Sequence, residues 1–226
     1  SDPENHYIRI SGNSEIKENG DIEGTINLVA EGQTDASIRR MFTGYPMSEW
    51  DKNLMGEIKK THPRAEILET NYENPYKYMD GPIRIEVKYR IPGYATVTKD
   101  EIIFTPVNAT QIFTRGMSHL YMNTSLEERE YDFRERCSRL VEVEKEIKLP
   151  YKTSLAYSPE FESFTGDVAA FEGNYKLSPQ GNMLRLYENI TFNKRVYEKE
   201  EWPEYRKAVI AQKKFADEPV ILKVEN

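Results

Sequence analysis

Between residues 83 and 91 apolar and charged positions alternate without a break: Ile83, Ile85, Val87, Tyr89 and Ile91 are separated by Arg84, Glu86, Lys88 and Arg90. Successive side chains of a strand point to opposite faces, so this run predicts a strand buried on one face and charged on the other. The pattern returns further on, where Val141, Val143, Ile147 and Leu149 are set between Glu142, Glu144, Glu146 and Lys148 until Pro150 stops it. Residues 6–30 read as two strands joined by Glu18-Asn19-Gly20-Asp21, because an Asn-Gly pair accepts the positive φ of a tight hairpin. A longer hairpin is expected over 170–177 and 183–197, around the turn residues Ser178-Pro179-Gln180-Gly181-Asn182. Its second arm places Leu184, Leu186, Ile190, Phe192 and Val196 on one face.

Three stretches carry helical spacing instead. Thr34 is placed to cap a short helix bearing Ile38, Met41 and Phe42, which Gly44 and Pro46 interrupt. Ser48 and Asp51 open a second, in which Trp50, Leu54 and Ile58 recur every fourth residue before His62-Pro63. Residues 201–216 form the third, with Pro203 in its first turn and Tyr205, Val209 and Phe215 on its apolar side. Residues 102–104 and 219–224 read as short strands, while periodicity fades over 108–133, a connecting stretch that contains Arg115-Gly116. The elements predict an α+β, mostly β chain in two parts. Residues 1–115 are expected to form an α+β domain of antiparallel sheet with packed helices, and residues 116–226 a β-sandwich-like domain with a C-terminal helix.

Composition narrows the chemistry. At 226 residues the chain can bury a core without disulfides or a structural metal, and an aromatic share of 12% excludes a disordered chain. Thirty-one basic against 38 acidic residues give −7, spread over both halves, so nucleic acid is not an expected partner. No apolar run is long enough for a membrane-spanning helix. The lone thiol, Cys137, shares parity with Val141 and Val143 and is read as an inward-pointing strand residue. Arg134, Arg136 and Arg139 around it keep an activated thiolate open as an alternative. His6, His62 and His119 lack ligand spacing, and no Gly-rich loop could cradle a phosphate. Glu127-Glu128 and Glu200-Glu201 read as solvated acids, not a glycosidase pair. The residues therefore predict no catalytic, cofactor-binding or metal site. Asn108, Asn123 and Asn189 open N-x-S/T triplets of the kind that arise by chance. The many tyrosines leave room for a stacked glycan.

The order of features resembles one family. A hairpin leads into "GTINLVAEGQTDASIRRMF"; then come "YRIPGYATVTKDEIIF", "EIKLP" at Glu146 to Pro150, and "ITFNKRVYEKEEWPEYRKAVIAQKKFADEPVILK". This series is similar to the C-terminal, non-catalytic β-rich region of bacterial transglutaminase-like proteins, in which a papain-like core is flanked by domains of unknown function. The resemblance implies that catalytic Cys, His and Asp belong to an upstream core in the same polypeptide, and Cys137 does not match the nucleophile's motif. It implies an accessory role shaping substrate access, in an exported protein of the periplasm or cell surface. Residue 1 is Ser with no signal-like segment after it, which reads as a processed or excised chain. An independent module binding a peptide or glycan is the alternative.

Overall fold

The structure is a computed structural model describing residues 2–107 and 112–225. Strands β1 (Tyr7–Ile16) and β2 (Ile22–Ala30) form the N-terminal hairpin, followed by helices α1 (Gly32–Thr43) and α2 (Trp50–Ile58). Next come β3 (Glu66–Tyr72), β4 (Ile83–Ile91) and the short β5 (Thr96–Val97) and β6 (Glu101–Phe104). A connecting segment leads to β7 (Phe133–Arg134), β8 (Arg139–Lys148) and β9 (Thr153–Tyr157). The chain continues through β10 (Phe164–Thr165), β11 (Ala169–Leu177), β12 (Met183–Phe192) and β13 (Val196–Tyr197). Helix α3 (Trp202–Asp217) and strand β14 (Val220–Val224) end it.

Eight strands make one mixed sheet in the order β10-β11-β12-β8-β1-β2-β4-β3, and four make a second in the order β5-β6-β14-β9. In the large sheet only β1 and β8 run parallel. Register follows from burial. Ile8 and Ile10 stand beside Val141 and Val143, Leu28 beside Ile10, and Ile85 beside Leu28, so one face is continuously apolar. A slip of one residue would turn that whole set to solvent. Helix α1 lies against β1, β2 and β4, and α3 against β11 and β12. The helices supply Ile38, Phe42, Trp202, Tyr205 and Phe215 to the core. The opposite face of the sheet carries ion pairs such as Arg9–Glu142 (3.5 Å) and Arg185–Glu146 (2.7 Å).

The α+β, mostly β class is as the pattern predicts, and so are both hairpins and the C-terminal helix. Gly20 has φ 86°, and a Cβ there would sit 2.2 Å from the Ala95 carbonyl oxygen, so the expected turn needs this glycine. The boundary at 115/116, however, does not part the sheets. Strand β1 from the first half lies between β2 and β8, and β6 pairs with β14. Buried hydrophobics from both halves join in one cluster. Thr34 is not the cap of α1, which starts at Gly32 with Glu31 at the N-cap; its hydroxyl donates to the His6 carbonyl at 3.1 Å. Val196 is exposed, because β12 ends at Phe192 before the face can continue. Strands β3 and β9 have irregular burial and so no alternation to predict them.

Candidate functional site

Cys137 is buried as expected, but it occupies a bend before β8 and not the strand itself. The structure brings His119 and Glu135 to it. A single 3-10 turn, Ser118–Tyr121, carries the His119 ring into the interior, 5.1 Å from the ring of Phe192. Its Nε2 donates to the Cys137 carbonyl at 2.9 Å, and Glu135 Oε2 lies 3.9 Å from Nδ1. A thiol nucleophile needs a histidine nitrogen free to take the proton from Sγ. Here Nε2 faces an oxygen that can only accept, so it holds a proton, and Nδ1 has no hydrogen-bond partner among the described residues. Burial, aided by the Arg139 charge, lowers the imidazole pKa to about 3. Burial also pushes the Cys137 thiol up, against the opposing pull of Arg139. At neutral pH the imidazole is uncharged and the thiol protonated, which is the reverse of an activated pair. Three residues that suggest catalysis by name form a structural cluster by geometry.

The other candidates have local roles. His6 Nδ1 accepts from Gln33 N–H, and His62 Nδ1 from Arg64 N–H. Glu201 accepts from Glu198 N–H in a capping box that starts the turn leading into α3. Among the described residues no group of His, Cys, Asp and Glu could hold a metal ion. Asn108 lies outside the described residues. Tyr76, Tyr78 and Met79 border an exposed cleft of about 650 Å³. Two of its charged groups are committed to each other and to the backbone, since Arg39 binds Asp35 at 2.8 Å and donates to the carbonyls of Pro75 and Gly81.

A different constellation forms where the connecting segment docks on α1 and α2. Phe113 has φ 53°, a left-handed conformation rare for a bulky residue, and its N–H donates to Glu57 Oε2 at 2.8 Å. Gly116 seats closely: a Cβ there would meet the Phe113 carbonyl oxygen at 3.2 Å and Thr34 Cγ2 at 3.3 Å. Three adjoining clefts result. The first, about 390 Å³, lies between α1, α2 and Phe113, with Ile38, Met41 and Asn53 among its walls. It shares Ser37 and Arg115 with a second of about 370 Å³, which adds Arg40, Ser118 and Arg136. Ser118 and Arg136 continue into a third of about 400 Å³, bordered by Arg134, Glu135 and Arg195. Among the described residues Arg40, Arg115, Arg134, Arg136 and Arg195 are exposed, and their side chains have no hydrogen bond or ion pair. The groove thus joins a partly apolar compartment, which Lys52, Glu57 and Lys60 also border, to an arginine-lined one on a chain of net charge −7.

Residues 100–222, just over half of the chain, match DUF3858, described as a "Domain of Unknown Function with solved-structure structure". The chain belongs to the DUF3858 family. The DUF3858 match runs from just before β6 into β14 and contains His119, Cys137 and every groove arginine except Arg40. It leaves out β1, so here the N-terminal hairpin covers the edge that β8 of the DUF3858 region would otherwise expose. A crystal structure from Parabacteroides distasonis ATCC 8503, described as a "putative protease", is similar over 56% of this chain at 15% identity and a TM-score of 0.44. The chain spans 24% of that protein's length. No curated protein matches it.

The arginine strip was not visible in the sequence as a site. Arg134 and Arg136 stood out only as neighbours of Cys137, and Arg40, Arg115 and Arg195 are dispersed along the chain. Their only local signal is the R-x-R spacing at 134–136, which in a short strand and the bend after it gives no hint of partners elsewhere.

Proposed function

We propose that this chain is a non-catalytic accessory region of an exported bacterial transglutaminase-like or cysteine-peptidase-like protein, packing beside an upstream core and shaping substrate access. The observation that carries the reading is the state of the only thiol. Cys137 is 2% exposed, its carbonyl is bound by the one histidine within reach, and burial keeps both groups uncharged. The resemblance of the element order supports the same assignment, with the chemistry in a core outside these residues. The reading predicts that the purified chain hydrolyses no peptide or amide substrate and transfers no glutamine acyl group above background, with Cys137→Ala behaving identically. Turnover by the unmodified chain that disappears in Cys137→Ala would overturn it.

The groove favours a second reading, an independent extracytoplasmic binding module. Its partly apolar and cationic compartments suit a peptide better than a glycan, which stacks on exposed aromatic faces. The coding sequence upstream of residue 1 separates the two: a core with Cys, His and Asp supports the first, and a signal peptide alone supports the second.

A further inference from the structure

We propose that the groove between α1, α2, the 112–121 segment and Arg136 binds an acidic peptide segment, its carboxylates held by Arg40, Arg115 and Arg136 and an apolar side chain entering the compartment beside Met41. The proposal rests on the accessory reading for its purpose, while the chemistry comes from the groove itself. A chain with 38 acidic residues has many carboxylates with which to pair its arginines. These three come from separate segments of the fold, border one cleft, and have no anionic partner among the described residues. The planar guanidinium fork matches a carboxylate in bidentate geometry. The strip's one acid, Glu135, is largely buried, and its Oε2 accepts from the Ser118 hydroxyl at 3.5 Å and faces the His119 ring.

Shape points to a peptide and not to a lone oxyanion. Three connected clefts of about 370 to 400 Å³ offer far more room than one small anion fills, and the first is part apolar. An extended peptide alternates side chains between faces, so acidic and apolar residues can enter neighbouring compartments. Glu57 does not repel it strongly, because its carboxylate binds Lys60 at 2.7 Å and the Phe113 N–H at 2.8 Å. The wall is preformed: Phe113 is held in a left-handed conformation, and Gly116 is seated against Thr34. Such a backbone persists only when its surroundings fix it, and a fixed groove loses less entropy on binding.

The test is fluorescence anisotropy of the purified chain with a short fluorescein-labelled peptide alternating Glu and Leu. Binding is expected to weaken as salt rises and to fall about tenfold or more in Arg115→Ala/Arg136→Ala, the loss of charge-assisted contacts. The charge reversal Arg40→Glu, also at an exposed position, should weaken it too, whereas Arg185→Ala on the far sheet face should not. Peptides with Gln for Glu, or Gly for Leu, should bind less tightly, and thermal melts should show the variants folded. No binding, equal binding by the arginine variants, or tighter binding of a single-stranded oligonucleotide would overturn the proposal. Complete indifference to Leu, with inorganic phosphate displacing the peptide at equal concentration, would reduce the groove to an anion cleft and also overturn it. A peptide that is bound and then cleaved would refute the accessory reading while leaving this one standing. Absent binding without turnover would do the opposite.

Discussion

Lys145→Met is expected to abolish a rise in stability of about 3 kcal/mol that the unmodified chain should show between about pH 8 and 10.5. Lys145 stands on the buried face of the large sheet, opposite Gly12 of β1 and Leu186 of β12. Its ammonium donates to the Val107 carbonyl, and burial pushes its pKa down to about 8, with the buried Glu188 carboxylate working against that fall. Removing the lysine leaves the Val107 carbonyl without its donor, which offsets part of the relief gained by taking away a buried charge. The charge itself is unfavourable: an unfolded lysine titrates near 10.5, so below pH 8 the folded state carries the full cost of about 3 kcal/mol. Between about 8 and 10.5 the unfolded chain binds more protons, and this residue's contribution makes stability rise with pH. Urea denaturation of the unmodified chain and of Lys145→Met at pH 7, repeated toward pH 10, reads the difference. An equal change with pH in both proteins would show that Lys145 is not the buried, easily deprotonated amine described above.

His119 governs the acid side. Its folded pKa of about 3 lies below the ordinary 6.5, so the unfolded chain binds the extra proton between those values. Stability from this group is fully present above about pH 6.5 and is lost as pH falls toward 3, by a total on the order of 4 to 5 kcal/mol. Glu135, whose carboxyl burial holds above the usual range, acts with the opposite sign, and the Arg139 charge opposes protonation of the ring throughout. His119→Gln keeps an N–H able to donate to the Cys137 carbonyl and removes the titration. Its unfolding free energy should therefore change much less between pH 7 and pH 4 than that of the unmodified chain. Parallel pH profiles for the two proteins would show that His119 is not the buried neutral base described above.

The large features were legible because they are local. Alternation from Ile83 to Ile91 became β4, Asn19-Gly20 became the first turn, and Pro203 opens the C-terminal helix. The pairing of β1 with β8 was not legible, since a parallel contact between distant strands leaves no mark in either one, and the division at 115/116 follows from missing it. Strand β3 lies at an edge of the large sheet with irregular exposure, so its residues carry no period-2 signal. The site was hidden for the same reason. His119 and Cys137 meet only because a 3-10 turn folds under α3, where Tyr205 donates to the His119 carbonyl at 3.4 Å. The arginines of the groove converge from segments that share no motif.

The central claim is that the cluster of Cys137, His119 and Glu135 is structural and that no activated thiol exists in this chain. The most direct test is the rate at which Cys137 of the folded protein is alkylated by iodoacetamide from pH 5 to pH 9, compared with the same protein in denaturant. A thiol that is 2% exposed, with its pKa raised by burial, should react far more slowly folded than unfolded, and its rate should climb only at the alkaline end. Rapid alkylation of the folded protein at neutral pH, with a rate already level below pH 7, would mean a thiolate paired with a charged imidazole, and would contradict the account.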